Sequence, residues 1–270
     1  MLLLRSEVRR LVSRRMVFWI ALVLLGYALM VVVLNAANSD KASLNPNDAM
    51  RTTQLWLSQR NATRLGVGTT SMIATISVFT YMTVVLLGAS AVGAEYRAGT
   101  VTTVLTWEPR RIRLLVTRLA AAAIVSMALF LLIHAAFVAG WAGGAELQGV
   151  TTGADTHFWR DLALVVLRGT LLAGVFAVVS GALATVGRNT AAALSLWFAY
   201  LVVIEGILRA QVSDSIPWLL TTSAAVFYGW DRIVVNDHSL LAGAGTLHLA
   251  LYVIVIGAVA VTVFRRRDVT

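Results

Sequence analysis

The chain has no cysteine, a single lysine (Lys41) among its 22 basic residues, and only 13% charged residues in all. Without cysteine there is no disulfide, thiolate metal site, iron–sulfur cluster or cysteine nucleophile. Without a suitable lysine there is no phosphate loop: G-x-x-x-x-G-K-S/T does not occur, and Lys41 is followed by Ala42. Any ATP hydrolysis would need another polypeptide. The four histidines, His134, His157, His238 and His248, are scattered and form no H-E-x-x-H or comparable metal pattern. There is no G-x-S-x-G elbow and no paired carboxylate within one apolar run. No catalytic centre and no metal site are legible, so the chain reads as a non-enzyme.

What is present is apolar. Of 270 residues, 59% are hydrophobic, and the mean hydropathy is +0.80. An ordinary soluble domain is roughly half apolar and about a quarter charged, and one core of this length could not hide so much apolar surface. The sequence therefore belongs in a membrane and is expected to be all-α. Six runs are long enough to cross about 30 Å of hydrocarbon: Met16–Leu34, Met72–Ala94, Leu119–Trp141, Leu162–Val186, Ala191–Leu208 and Leu240–Phe264. The first has nineteen residues, exceeding the usual ~7–15 of a signal peptide's apolar core, and is read as a retained span.

The net charge of +9 and pI near 10.9 would suggest nucleic acid in a soluble protein; in a membrane protein they reflect positive-inside sorting. With both termini inside, the inner segments hold 14 of the 22 basic residues and four acids, for +10, and everything else sums to −1. That bias predicts cytoplasmic N- and C-termini, with Arg5, Arg9, Arg10, Arg110, Arg111 and Arg113 on the inner surface near anionic lipid. Residues 1–15 read as an amphipathic interfacial helix with Leu4, Val8, Leu11 and Val12 on one face, ahead of a transmembrane domain over 16–270. Outside, Asn35–Leu65 is a polar loop. The segment 211–239 contains Ile216–Tyr228, too short to span, with Ser213-Asp214-Ser215 as a cap, Pro217 near the first helical position and Gly229 at its end. It is expected to dip into the membrane and return.

The longest inner loop, between spans two and three, carries a distinctive pattern. It reads Glu95-Tyr96-Arg97-Ala98-Gly99-Thr100, then Leu105-Thr106 and Pro109-Arg110-Arg111. Val101, Val104, Leu105 and Glu108 follow helical spacing and Pro109 ends the helix. This is either a plain surface helix or a knob that docks into a soluble partner, with Glu95 and Arg97 fixing it by charge. The loop resembles the E-x-R-x-G-T loop of the permease subunits of bacterial type-2 ABC transporters. The likeness continues at Glu205, at Ile216-Pro217 and at Arg266-Arg267-Asp268-Val269. The resemblance implies a subunit of the bacterial cytoplasmic membrane that works in export. It implies a second permease subunit, identical or related, and two copies of a separate ATP-binding subunit that carry the ATP and Mg; this chain binds no cofactor. About 95–108 would be the coupling helix, with Glu95, Tyr96, Arg97, Gly99, Thr100, Val104, Leu105 and Trp107 meeting the ATPase, and residues 1–15 would be the connecting helix.

Four polar groups lie within the spans: His134, Arg168, Glu205 and Arg209. Glu205 and Arg209 share a face at i and i+4, and Glu205 lies about 24 Å from Asn189 along span five. Arg168 falls at similar depth and is expected to pair with Glu205, since either charge alone would cost about 3 kcal/mol at mid-bilayer. His134 reads as a satisfied polar group, and Ala177, Gly181 and Thr185 as a small-residue packing stripe. Two other classes of function stay open: an ion-coupled secondary transporter titrating Glu205 and His134, and an assembly subunit with no pathway. The scarcity of charge in the spans favours a hydrophobic or amphiphilic cargo such as a drug, peptide or lipid.

Overall fold

The computed structural model describes residues 2–37, 72–100, 103, 106, 110–148, 156–229, 232–235 and 238–266. The polar loop over 38–65, together with Val104, Leu105, Trp107 and Arg267, lies outside the described residues. In chain order the elements are α1 (Leu2–Val12), α2 (Arg15–Ala37), α3 (Met72–Ala98), α4 (Arg111–Gln148), α5 (Thr156–Gly187) and α6 (Thr190–Phe198). A π-helical turn (Ala199–Ile204), α7 (Glu205–Gln211), a 3-10 turn (Ser213–Trp218) and α8 (Leu220–Tyr228) follow. The chain then forms strands β1 (Arg232–Val235) and β2 (His238–Leu241) and ends in α9 (Ala242–Arg266). Helices α2, α3, α4, α5, the continuous run Thr190–Gln211 and α9 are each long and apolar enough to cross a membrane. Among the described residues there are six such helices, and the protein is thus a multi-pass membrane protein.

All six predicted spans match these helices. The third is much longer than its apolar run, because Arg111, Arg113 and Arg118 extend it at one end and Gly143–Gln148 at the other. Helices α3, α4 and α5 form the packed centre, buried over 67%, 50% and 56% of their most apolar stretch, against 17–22% for the other three. The crossing of α3 on α5 is close enough that a Cβ on Gly88 would sit 2.7 Å from Ala177 Cα and strike Ala177 O and Ser180 Oγ. Gly181 faces the Gly88 carbonyl, so the small-residue stripe of span four is a packing seam.

The described residues are nearly all helical, as expected, with one short exception: β1 and β2 pair antiparallel, Arg232 opposite Leu241. Two expectations need correction. The segment read as re-entrant is not one helix. Pro217 disfavours α geometry at Ile216, the chain turns as 3-10 over Ser213–Trp218, and Leu219 is extended (φ −65°, ψ 143°) before α8 begins. Ser213–Ser215 therefore do not cap α8, although Gly229 does end it. In α1, Leu4, Val8 and Leu11 pack into the bundle, but Val12 is exposed and Glu7 takes its place on the buried face. The face is set by protein, α4 chiefly, and a carboxylate is accepted there because cations await it.

Candidate functional site

The cations that receive Glu7 form the most charged buried group among the described residues. Glu7 of α1 lies 2.5 Å from Arg10 Nη2 and 3.7 Å from Arg118 Nε. Glu95, near the end of α3, pairs with both Arg10 and Arg118. Arg118 is 3% exposed and Glu95 5%, so two carboxylates and two guanidiniums close a neutral cluster joining α1, α3 and α4. Beside it, Arg14 donates to the Ser90 carbonyl at 3.1 Å. Burial, then repulsion from Arg10, holds the Arg14 pKa below its ordinary value, while Glu95 and Glu7 oppose the shift. The turn between α5 and α6 abuts the same place: a Cβ on Gly93 would meet Thr190 N at 2.5 Å.

One turn beyond Glu95 the helix stops. Gly99 takes the left-handed conformation (φ +65°) and its N–H donates to Tyr96 O at 3.3 Å, an ending that glycine adopts without steric cost. Arg97, Gly99 and Thr100 are exposed and Tyr96 is half-buried. Thr103 and Thr106 are exposed helical residues, linked by a 2.6 Å bond from Thr106 Oγ1 to Thr103 O. Glu95 therefore does not face outward to fix a docking partner by charge; its carboxylate is held inside by Arg10 and Arg118, and of the two charges read in that role only Arg97 is exposed. Arg5, Arg9, Arg110 and Arg113 are exposed, with Arg111 partly so.

Toward the middle of the bundle lies a cavity of about 260 Å³ between α3, α5, α6, the π turn and α8. Its walls are aromatic and aliphatic, with Tyr81, Phe176, Trp197 and Tyr228 prominent. Behind it runs a hydrogen-bond chain. His134 Nδ1 is 2.9 Å from the Phe130 carbonyl, which can only accept, so the neutral ring carries its proton there and Nε2 accepts from Ser77 Oγ at 2.9 Å. The Tyr228 hydroxyl then donates to Ser77 Oγ at 2.6 Å. Tyr81 donates to Gly169 O at 3.2 Å. His134 is thus the satisfied polar group that its place in an apolar span predicts.

At the other end, Glu205 (1% exposed) accepts from Thr221 N at 3.2 Å and from Thr221 Oγ1, with Arg209 Nη2 at 3.8 Å. Its carboxylate satisfies one of the orphan first-turn N–H groups of α8 and meets the positive end of that helix. Arg209 also donates to Thr221 Oγ1 and Thr222 Oγ1, at 2.5 and 3.1 Å. From α9, His248 Nδ1 donates to Pro217 O at 3.1 Å and the Tyr252 hydroxyl to Trp218 O at 3.0 Å. The expected partner of Glu205, Arg168, is not among these. Counting residues along span five does not give azimuth: the π turn just before Glu205 inserts about one residue, roughly 100° of rotation, relative to an unbroken α-helix. Arg168→Gln is therefore expected to add its loss to that of Glu205→Gln to within about 0.5 kcal/mol. Glu205→Gln and Thr221→Val should be strongly non-additive. Detergent melts of the single and double variants measure both.

Among the described residues no group of three His, Asp or Glu is placed to hold a metal ion. Sequence reading overlooked the roles of Glu7, Arg118, Ser77, Tyr228 and Thr221. Glu7 and Arg10 carried a signal, being opposite charges at i and i+3; Ser77 and Thr221 carried none. No family model matches the chain, and no curated protein matches it.

Proposed function

We propose that the chain is the membrane-crossing permease subunit of an ATP-driven exporter of the type-2 ABC class, powered by separate ATP-binding subunits. The observation that carries this reading is the Glu95–Thr100 turn. It presents Arg97, Gly99 and Thr100 to solvent while Glu95, in the same turn, is tied to α1 and α4. A push on this turn reaches three helices together, as a chain moved by an external motor requires. In this reading about 95–108 is the coupling helix, α1 is the connecting helix at the inner leaflet, both termini are cytoplasmic, and 211–239 forms an external re-entrant segment.

The sparsely buried α2, α9 and fifth span leave faces for lipid and for a second permease subunit. The aromatic cavity suits a hydrophobic or amphiphilic cargo. An ion-coupled mechanism is less well supported: Glu205 is occupied by Thr221 and Arg209, and His134 by Phe130 and Ser77.

The test is a pull-down of the tagged chain from native membranes in mild detergent, with bound proteins identified by mass spectrometry. A P-loop ATPase should accompany the wild type and fall at least tenfold with Arg97→Glu and with Gly99→Pro. Both variants must elute from size exclusion like the wild type. An intact wild type without an ATPase overturns the proposal.

A further inference from the structure

Among the described residues lining the cavity of about 260 Å³, none is charged. Its hydroxyls are those of Ser77, Tyr81, Thr221 and Tyr228, and each already donates within the protein. Tyr228 donates to Ser77 Oγ at 2.6 Å, Ser77 to His134 Nε2 at 2.9 Å, Tyr81 to the Gly169 carbonyl at 3.2 Å, and Thr221 to Glu205. A carbonyl or an anion entering the cavity meets no hydroxyl proton that is not already committed. A cation meets no carboxylate in the wall, and Glu205, which Thr221 touches, is already engaged by Thr221 and Arg209. A charged or strongly hydrogen-bonding group would therefore lose its water with nothing in exchange.

Four rings brace one another around this space. Tyr81 meets Phe176 at 5.2 Å and Tyr228 at 6.2 Å, and Phe176 meets Trp197 at 5.2 Å, each close to edge-to-face (73–82°). Phe176, Trp197 and Tyr228 are at most 9% exposed, so the wall is set before anything enters. Two other lining residues, Val78 and Met82, lie one turn apart on α3 and are 53% and 40% exposed. An apolar cavity of roughly 150 Å³ stays dry and admits benzene, so this one has room for about two or three fused rings. We infer that the cavity is a binding site for an uncharged aromatic molecule dissolved in the membrane, of the size of naphthalene or anthracene. It enters from lipid, past Val78 and Met82 on the spanning helix α3. An acyl chain is also apolar, but it has more conformational freedom to lose and makes no ring-to-ring contact with the wall. That the occupant is cargo rests on the exporter reading; that it binds does not.

The experiment uses the full chain in dioleoyl phosphatidylcholine nanodiscs, without any ATPase, and the photoreactive probe 3-phenyl-3-(trifluoromethyl)diazirine. Proteolysis and mass spectrometry compare labelling of α3 and α8 with that of the sparsely buried α2. Labelling of α3 and α8 should saturate and fall at least fivefold with excess naphthalene, while α2 labelling stays proportional to probe. Methyl oleate and 2-naphthyltrimethylammonium, at the same concentration in the membrane, should each lower it less than twofold. Ala224→Leu and Ala225→Leu enlarge residues that line the cavity, and each should cut the saturable labelling at least fivefold. Either variant suffices if the other does not fold, and competition on the wild type needs neither. Labelling that never saturates, competition by methyl oleate or by the ammonium equal to that of naphthalene, or saturable labelling unchanged in a folded leucine variant would overturn the site. Saturable labelling in a chain that retains no ATPase in the pull-down would support the site and overturn the exporter reading alone.

Discussion

Glu95→Ala is expected to destabilise the protein by about 3–5 kcal/mol, the range for removing one partner of a buried ion pair. Arg118 is 3% exposed, and after the change its nearest remaining carboxylate oxygen is on Glu7, 3.7 Å away. The guanidinium cannot shed its proton, is nearly closed to solvent and keeps only the longer contact to Glu7, so most of its desolvation cost is no longer offset. The double variant Glu95→Met/Arg118→Met should recover most of the loss. It removes one charge of each sign, fills a similar volume, and leaves Glu7 and Arg10 paired at 2.5 Å. Thermal melts of the two single variants and the double in one detergent decide the point. Losses that simply add would show that Glu95 and Arg118 do not act as a pair. If the double is stable but fails to retain an ATPase in the pull-down, the cluster transmits force as well as holding the fold.

The second large effect is expected at Gly88. Gly88→Ala places a methyl against backbone of α5, 2.7 Å from Ala177 Cα, and backbone cannot step aside as a flexible side chain can. The helices must part along a seam that also contains Gly181, and overpacking of this kind costs about 1–3 kcal/mol, more for Gly88→Leu. Gly26 and Gly257 are the controls: a Cβ at either meets nothing within 4 Å. Alanine there should be neutral or slightly stabilising, since it favours helix by up to about 1 kcal/mol over glycine. Melting by intrinsic tryptophan fluorescence separates the cases. Equal shifts at Gly88 and Gly26 would mean that α3 and α5 are not so closely packed.

Much of the architecture is legible because a bilayer imposes a coarse rule. Runs of about 20 apolar residues have one use, and the six read from sequence match the six helices. Hydropathy is blind to what continues a helix past its apolar part, so the arginine-rich start of α4 was missed. The Gly99 turn was legible as a motif, and its physical need, a left-handed residue closing α3, emerges only with backbone angles. Azimuth was the least accessible quantity. The motif offers Glu95 as a charge for a docking partner, and it faces inward; depth counting pairs Glu205 with Arg168, and it meets Thr221. Both errors arise where one residue's rotation changes its neighbours entirely, through the packing of α1 in one case and the π turn in the other. The break at Leu219 was half legible, since Pro217 announces it.

The neutrality of the Glu7–Arg10–Glu95–Arg118 cluster divides the arginines of this end into two populations with different responses to ionic strength. Mobile ions shorten the reach of exposed charges from about 8 Å at physiological salt to about 3 Å at 1 M. They act on Arg5, Arg9, Arg110, Arg113 and Arg265, which carry the net positive potential of the face. In the cluster only Arg10 is open to those ions, while Glu7, Glu95 and Arg118 are at most 6% exposed; its four charges sum to zero, so it contributes little to that potential and is less weakened by its screening. Salt can therefore loosen what this end of the protein holds at its surface while leaving the joint between α1, α3 and α4 closed.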